Sequence, residues 1–480
     1  MPARIVQTIL EPTANAVRSR LESLPAGIDL VELRFDGLEE PCDPQSLVMA
    51  SPLAVVATAR RASEGGFFRG SESERIALLE RAAQAGAAYV DLEDGVPWRR
   101  DLGPTRLIRS FHDLSGVPRD LDERARRLSH DATIVKVACN AHHMDDVRRV
   151  LELPHRMQLP TVAIAMGPLG RFARIAAGAF GMPLTYASTP GTAAAAPGQV
   201  PADEMAQLYR ANRIDHDWRL ALEIGTESDG ADSALTLDAA LAAAGVRACL
   251  VPASIPSMAA LDELLPLLPW QAMIVGPTLA EPAASWAPRC SDSARTVGGA
   301  DFLFKDGEAW CADCLLVEAL SRAIGTVVQA AACRGRRAWV FGADFAARVA
   351  ARALRSLGAD VHIVADDEPR AKSAADRLGV RAITSLEAAP SKADIIVLAR
   401  SHGRRDDGAE ASAPRSAFLL IEMTAVHASE TAPGSRNERR SVVSRQDILR
   451  ERLCLQYERL TGNSPDPAVI KRALSRTPSR

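Results

Sequence analysis

Eight short segments rich in β-forming residues recur through the first part of the chain, and that repetition limits the fold more than any other feature. They are Ile5–Leu10, Leu30–Phe35, Leu53–Thr58, Tyr89–Leu92, Arg106–Phe111, Thr133–Ala138, Thr161–Met166 and Leu184–Ala187. Helix-like stretches such as Glu72–Gly86 and Met144–Leu153 lie between most of them. Strands that alternate with helices pair in parallel, because a parallel connection needs a long crossover. Eight such repeats over about 200 residues predict a closed (β/α)8 barrel. A doubly wound open sheet is the competing arrangement.

Polar residues gather where these strands end. Strand two closes on Glu32-Leu33-Arg34-Phe35-Asp36, strand three on Arg60, strand four on Asp91-Leu92-Glu93 and strand five on His112-Asp113. In a barrel such ends converge on one mouth, where active sites form. Lys136 lies within the apolar run Ile134-Val135-Lys136-Val137-Ala138, and an unpaired buried ammonium is costly. One reading is a lysine whose stem snorkels to solvent. The other is a desolvated amine that attacks a ketone to form an imine. His112, one strand earlier, is the matching acid/base candidate, since imidazole takes and gives protons near neutral pH. Arg34, Arg60 and Arg174 each fall at or just beyond a strand end, an arrangement suited to an anionic substrate. Gly65-Gly66 and Gly70 flank Phe67-Phe68-Arg69, which reads as a mobile loop over the mouth.

These segments, taken in order, resemble type I 3-dehydroquinate dehydratase over residues 5–200. The resemblance rests on Glu32–Asp36, on Thr58-Ala59-Arg60 with Glu64-Gly65-Gly66, and on Tyr89–Glu93. It continues through Ser110-Phe111-His112-Asp113, Ile134–Ala138, Met166–Gly170 with Arg174, and Ala196-Pro197-Gly198-Gln199. It implies a lyase of the shikimate pathway that takes 3-dehydroquinate as substrate and releases water. Lys136 would form an imine with the C3 ketone, and His112 would remove a C2 proton and help the C1 hydroxyl leave. Glu64 would be the lid carboxylate, Arg174 the carboxylate clamp, and Glu32, Arg34, Arg60 and Gln199 further substrate contacts. No metal or bound cofactor is expected for this step. Ala195 stands where the family often has serine, a change that removes one hydroxyl and about 0.5–1.5 kcal/mol of binding.

A chain of 480 residues exceeds one core, and its second half has a different pattern. The expected division is a barrel at 1–215, an α/β substrate domain at 222–325, a Rossmann-like domain at 326–440, and C-terminal helices and tail at 441–480. The run Ala338-Trp339-Val340-Phe341-Gly342, a helix over Ala346–Leu357 and strands at Asp360–Val364 and Asp394–Leu398 suggest a βαβ start. This half resembles shikimate dehydrogenase distantly, through Gln456–Gly462 and Ala393–Val397. The family's reactive positions carry over poorly. Its His-Ser-x-Ser-Pro segment retains only Ser233, its essential lysine is Ala280, and its aspartate is matched by Asp313. Its glycine loop reads Gly342-Ala343-Asp344-Phe345. Glycines there allow a tight turn close to pyrophosphate, so Asp344 and Phe345 imply that NADP or NAD binding is not expected and that this half is inactive. The acids Asp366, Asp367 and Glu368 stand where an NADP site would want arginine, although an acid suits the ribose of NAD. The alternatives are a bifunctional dehydratase and shikimate dehydrogenase, or a metabolite sensor without catalysis.

A net charge of −3 argues against a nucleic-acid partner, and no apolar run is long enough for a membrane span. Eight scattered cysteines, with Cys311-x-x-Cys314 as the one close pair, suit a reduced cytoplasmic protein. A homodimer is compatible with the sequence.

Overall fold

A computed structural model describes residues 1–98, 103–225, 232–384, 393–399, 417–423 and 440–476, the side chains of 232–235 and 476 excepted. The chain divides into two compact units, Met1–Leu222 with Arg247–Trp270, and Glu223–Val246 with Gln271–Arg480. No helix among the described residues is long and apolar enough to cross a membrane.

The first unit contains β1 (Arg4–Ile9), β2 (Leu30–Arg34), β3 (Ala54–Thr58), β4 (Tyr89–Glu93), β5 (Arg106–Asp113), β6 (Ile134–Asn140), β7 (Thr161–Met166) and β8 (Leu184–Ser188). They form one sheet in the order β7-β6-β5-β4-β3-β2-β1-β8. Its strands pair in parallel, with β8 returning to lie beside β1. This sequential order is that of a (β/α)8 barrel. It excludes the doubly wound arrangement, in which strand order reverses at a switch point. At the seam, β7 and β8 border a cavity of about 10 Å³ lined by Val162, Ala165, Arg174 and Thr185, among others.

The period-two alternation of each strand explains what fills the barrel. Val6, Leu30, Val56, Tyr89, Ile108, Ile134, Val162 and Leu184, one from every strand, share a buried apolar cluster. Full burial of such a side chain stabilises the fold by about 1.5–3 kcal/mol. Two residues on, the same inward phase gives Thr8, Glu32, Thr58, Asp91, Ser110, Lys136, Ile164 and Tyr186. A further step gives Arg34, Arg60, Glu93, His112, Ala138, Met166 and Ser188. The interior therefore changes from an apolar floor to a charged mouth along the strand direction.

Local signals set the supporting helices. Ser71 caps helix Glu72–Gln84 in a reciprocal capping box with Glu74, and this helix sends Arg75 inward. Gly66 makes the tight turn after Glu64, where a Cβ would lie 2.1 Å from the Arg60 carbonyl oxygen. The helix expected over Met144–Leu153 is broken into Met144–Leu151 and Leu153–Arg156, the second with a proline in its first turn. Residues 201–222 hold a π turn at Glu204–Leu208, a short turn at Ala211–Arg213 and the start of β9 (Arg219–Gly225). The left-handed backbone of Arg210 (φ 55°) ends the π turn. β10 (Ala248–Ser254) follows.

In the second unit β11 (Ala272–Val275), β13 (Phe302–Asp306), β14 (Ala309–Asp313) and β12 (Arg289–Cys290) lie side by side in that order. A separate sheet comprises β15 (Arg337–Phe341), β16 (Asp360–Val364), β17 (Arg381–Ile383), β18 (Ile395–Leu398), β19 (Leu419–Glu422) and β20 (Ser441–Val443). Its order is β17-β16-β15-β18-β19-β20, all parallel. Counted from β15, this is the 3-2-1-4-5-6 order of a dinucleotide-binding sheet. The C-terminal segment is helical over Pro467–Arg476, because Val469, Ile470 and Ala473 bury one face. Residues 401–416 and 429–440, whose polar composition reads as exposed loops, lie outside the described residues, except Arg440.

Candidate active site

The Lys136 ammonium is buried, 4% exposed. Its Nζ donates to Asp91 Oδ2 at 2.8 Å and lies 3.6 Å from Glu32 Oε1. The Tyr186 ring stands 4.0 Å from the same nitrogen. Such a cation persists in a barrel interior only when paired, and the supply of partners extends through a chain of contacts. Arg60 bridges Asp91 at 3.0 Å and Glu93 at 3.1 Å, and donates to Ser110 at 2.8 Å. Arg75 holds the other oxygen of Glu93 at 2.6 Å and donates to the Ala59 carbonyl. Glu32 accepts from Thr8 at 2.8 Å and Thr58 at 2.9 Å. Three cations (Lys136, Arg60, Arg75) thus face three carboxylates (Glu32, Asp91, Glu93) below the mouth.

Burial alone would raise the Asp91 carboxyl, but the Arg60 and Lys136 charges hold it well below the usual carboxylate range. Arg60, despite its burial, is held in the charged form by Asp91, Glu93 and Glu32. Arg34 forms a two-point pair with Asp36 at 2.9 and 2.8 Å, and Asp36 also accepts from the Phe67 amide at 3.1 Å. The glycine-flanked segment is therefore tied at its base to the mouth.

His112 and Glu64 meet above Lys136's layer. Glu64 Oε2 accepts from the His112 amide at 3.0 Å and lies 3.1 Å from its Nδ1. Burial pushes the Glu64 carboxyl up to about 7 against the pull of Arg60. Burial, with Arg60 and Lys136 nearby, keeps the His112 ring neutral far below its ordinary value. An ionised Glu64 takes the Nδ1 proton as a hydrogen bond, which leaves Nε2 as the proton acceptor. Arg174 is 5% exposed. Its contacts are long bonds to the Tyr186 and Pro197 carbonyls at 3.4 and 3.3 Å, and its Nε has no partner among the described residues. Burial lowers it to about 10, so this cation is short of an anion. Gln199 Nε2 reaches Thr8 Oγ1 at 3.5 Å, and its Oε1 accepts from the Ala196 amide.

The structure thus joins Lys136, Glu32 and Arg60 in one direct network and His112 with Glu64 in another. Gln199 touches the first network through Thr8, and Arg34 pairs with Asp36. Arg174 contacts the backbone of Tyr186, whose ring faces Lys136. Ser110, Arg75 and Tyr186 join this mouth without a role read from sequence, and Asp91 and Glu93, expected at the mouth from their strand end, gain roles as partners of its buried cations. Ser110 and Tyr186 were detectable, because each lies two residues beyond a floor residue of its own strand. Arg75 carried no such signal.

In the second unit, Ser233 has its side chain outside the described residues. Ala280 is fully buried, and its carbonyl accepts from the Ala300 amide at 2.7 Å. Asp313 accepts from Ser291 at 2.7 Å and pairs with Arg459 at 3.1 Å, so a cation stands beside it in spite of Ala280. Gly342 adopts φ 118°, where a Cβ would crowd the Ala399 carbonyl at 3.3 Å. Asp344 caps helix Phe345–Ser356 by accepting from Ala347 at 3.1 Å. Cys311 and Cys314 are buried free thiols. In the first unit, Asp215, His216 and Asp217 could meet on an ion, but Arg247 already pairs with Asp215 at 3.0 Å.

The expectation that this half does not take NADP or NAD is corrected. The altered loop suggested a lost site, yet the parallel sheet with its switch point between β15 and β18 is intact. The positive-φ glycine that brings backbone close to a phosphate is also kept. Asp344 acts as a helix cap, a role compatible with the turn.

Residues 5–216 match the family model described as Type I 3-dehydroquinase. The 3-dehydroquinate dehydratase of Syntrophobacter fumaroxidans is 38% identical over 204 residues, covering 38% of this chain and 86% of that protein. A bifunctional chloroplastic 3-dehydroquinate dehydratase/shikimate dehydrogenase of Arabidopsis thaliana is 34% identical over 212 residues, covering 42% of this chain and 35% of that protein. Among solved structures, the dehydroquinate dehydratase and shikimate dehydrogenase of S. pombe aligns with 99% of this chain and 98% of its own, at 18% identity and a TM-score of 0.46. A Thermus thermophilus shikimate 5-dehydrogenase solved with NADP(H) and shikimate aligns with 54% of this chain and 100% of its own, at 19% identity and a TM-score of 0.46.

Proposed function

The chain belongs to the type I 3-dehydroquinate dehydratase family, and from that membership we propose that its barrel dehydrates 3-dehydroquinate to 3-dehydroshikimate through an imine on Lys136. The observation that carries the reading is the buried Lys136 amine, 2.8 Å from Asp91, in the interior layer directly below His112 and Glu64. In its neutral form the amine attacks the C3 ketone, and the carbinolamine takes up a proton from water and loses its hydroxyl as water to give a protonated imine. That imine draws electrons from C2 as His112 Nε2 takes the C2 proton. The C1 hydroxyl leaves as water with the proton His112 carries, and hydrolysis of the imine restores the lysine. Arg174, a buried cation without a carboxylate partner among the described residues, receives the substrate carboxylate. Arg34, Arg60, Glu32 and Gln199 orient the hydroxyls.

Borohydride added during turnover tests this. A reduced adduct located at Lys136 by peptide mass spectrometry is expected. Its absence in folded protein that survives borohydride would refute the imine and favour a chain that binds without reacting.

The intact parallel sheet favours a second reading alongside the first, in which the second half takes a nicotinamide nucleotide and reduces the dehydratase product. The backbone at Gly342 and the N-terminus of helix Phe345–Ser356 would hold the pyrophosphate, and Asp366, just beyond β16, would accept from the ribose of NAD. A bound nucleotide supplies the hydride. Oxidation of NADH or NADPH by the full chain with 3-dehydroshikimate tests it. If nucleotide binds without oxidation, the inactive-domain reading stands, with Ala280 in place of the proton-carrying lysine as its cause.

A further inference from the structure

Tyr186 is the one interior tyrosine of the polar layer, on β8 between Leu184 of the apolar floor and Ser188 of the rim. It is 2% exposed, and its hydroxyl has no hydrogen-bond partner among the described residues. A buried hydroxyl left unpaired costs about 1–3 kcal/mol. Phenylalanine would fill the same space and still face Lys136 with its ring, so packing does not account for the oxygen. Its position does: the ring lies 4.0 Å from the amine that reacts. Glu32, Asp91 and Arg60 surround the same space but hydrogen-bond to other groups. Burial pushes the Tyr186 phenol well above its ordinary value, so at neutral pH it is a donor.

We propose that the Tyr186 hydroxyl donates a hydrogen bond to an oxygen of the polyhydroxy ketone held at Lys136, which makes Tyr186 a catalytic residue of this site. The proposal rests on the imine reading above. The orphaned donor is then a preorganised contact, unsatisfied in the free protein and satisfied by the ligand, so its bond strengthens the bound state without a competing partner to displace. No proton is transferred by Tyr186, and its bond orients the oxygen while His112 carries out acid/base chemistry.

Tyr186→Phe in the full chain removes this oxygen alone. The expected result is a fall in kcat/KM for 3-dehydroquinate of about 10- to 100-fold, with a melting temperature equal to or above that of the wild type. A structural hydroxyl would give the opposite pattern, so wild-type kinetics in Tyr186→Phe, or a lowered melting temperature with unchanged kinetics, would overturn the proposal. Calorimetry of 3-dehydroshikimate binding gives a second readout free of turnover. Lys136→Met/Tyr186→Phe should bind about 10-fold more weakly than Lys136→Met, and equal affinities would also overturn it. If the wild type shows neither turnover nor a trapped adduct, the imine reading itself fails, an outcome distinct from wild-type kinetics in an otherwise active Tyr186→Phe protein.

Discussion

Replacing Glu64 by glutamine should stabilise the protein above neutral pH while damaging its chemistry. Burial raises this carboxyl from 4.5 to about 7, a difference worth about 3 kcal/mol. The sign follows from proton counting. Between pH 4.5 and about 7 the folded state binds more protons at Glu64 than the unfolded chain does. Stability therefore falls as pH rises through this window, and the full penalty of about 3 kcal/mol is present above it. Glutamine keeps an acceptor for the His112 amide, which now donates to Glu64 at 3.0 Å, yet it is never charged. Thermal melts of wild type and Glu64→Gln at pH 5 and pH 8.5 should show little difference at the lower pH and a higher melting point for the variant at the higher one. The rate should respond in the opposite direction. With Glu64 ionised, His112 is held with Nε2 free to accept a proton, so kcat/KM of the wild type should rise through a pKa near 7. Glu64→Gln should lose that limb and run about 10²-fold or more below the wild-type plateau. An equal stability difference at both pH values, or an acid limb that persists in the variant, would refute the argument.

Other consequences concern buried charge. Arg75→Met strands Glu93 with Arg60 as its remaining close buried cation and should cost about 3–5 kcal/mol in urea unfolding of the barrel; adding Glu93→Gln should recover part of that loss. Arg174 is lowered from 12.5 to about 10 by burial, so its charge is disfavoured in the free fold at every pH below that value. Arg174→Met should accordingly melt at a higher temperature at pH 8, by an amount equivalent to about 3 kcal/mol, while KM for 3-dehydroquinate rises about 10-fold or more. An Arg174→Met protein with wild-type KM would remove the clamp from the site.

Much of this site was written in the chain locally. A β-strand shows alternate residues to one face, so an apolar floor position identifies the inward residues two and four places later. That arithmetic leads from Ile134 to Lys136, from Ile108 to Ser110 and His112, and from Leu184 to Tyr186. The lysine inside an apolar strand was visible without any partner. The same local reading fails in the second half, where Asp344 in place of a glycine predicts damage to a phosphate loop. A residue's effect on a turn depends on which donor it meets, and Asp344 meets the Ala347 amide as a helix cap.

The sequence by itself determined the strand positions, their inward phase and the residue types at the mouth, because these follow from short-range geometry. Only the tertiary structure decided which charges neutralise one another. Lys136 meets Asp91 across 45 residues, Arg60 meets Ser110 across 50, and Arg75 reaches Glu93 from a helix outside the sheet. The order of the second unit's parallel sheet is equally non-local. Such pairings are set by strand neighbours and by closure of the barrel, and a carboxylate in a sequence carries no mark of the cation that will stand beside it once water is excluded.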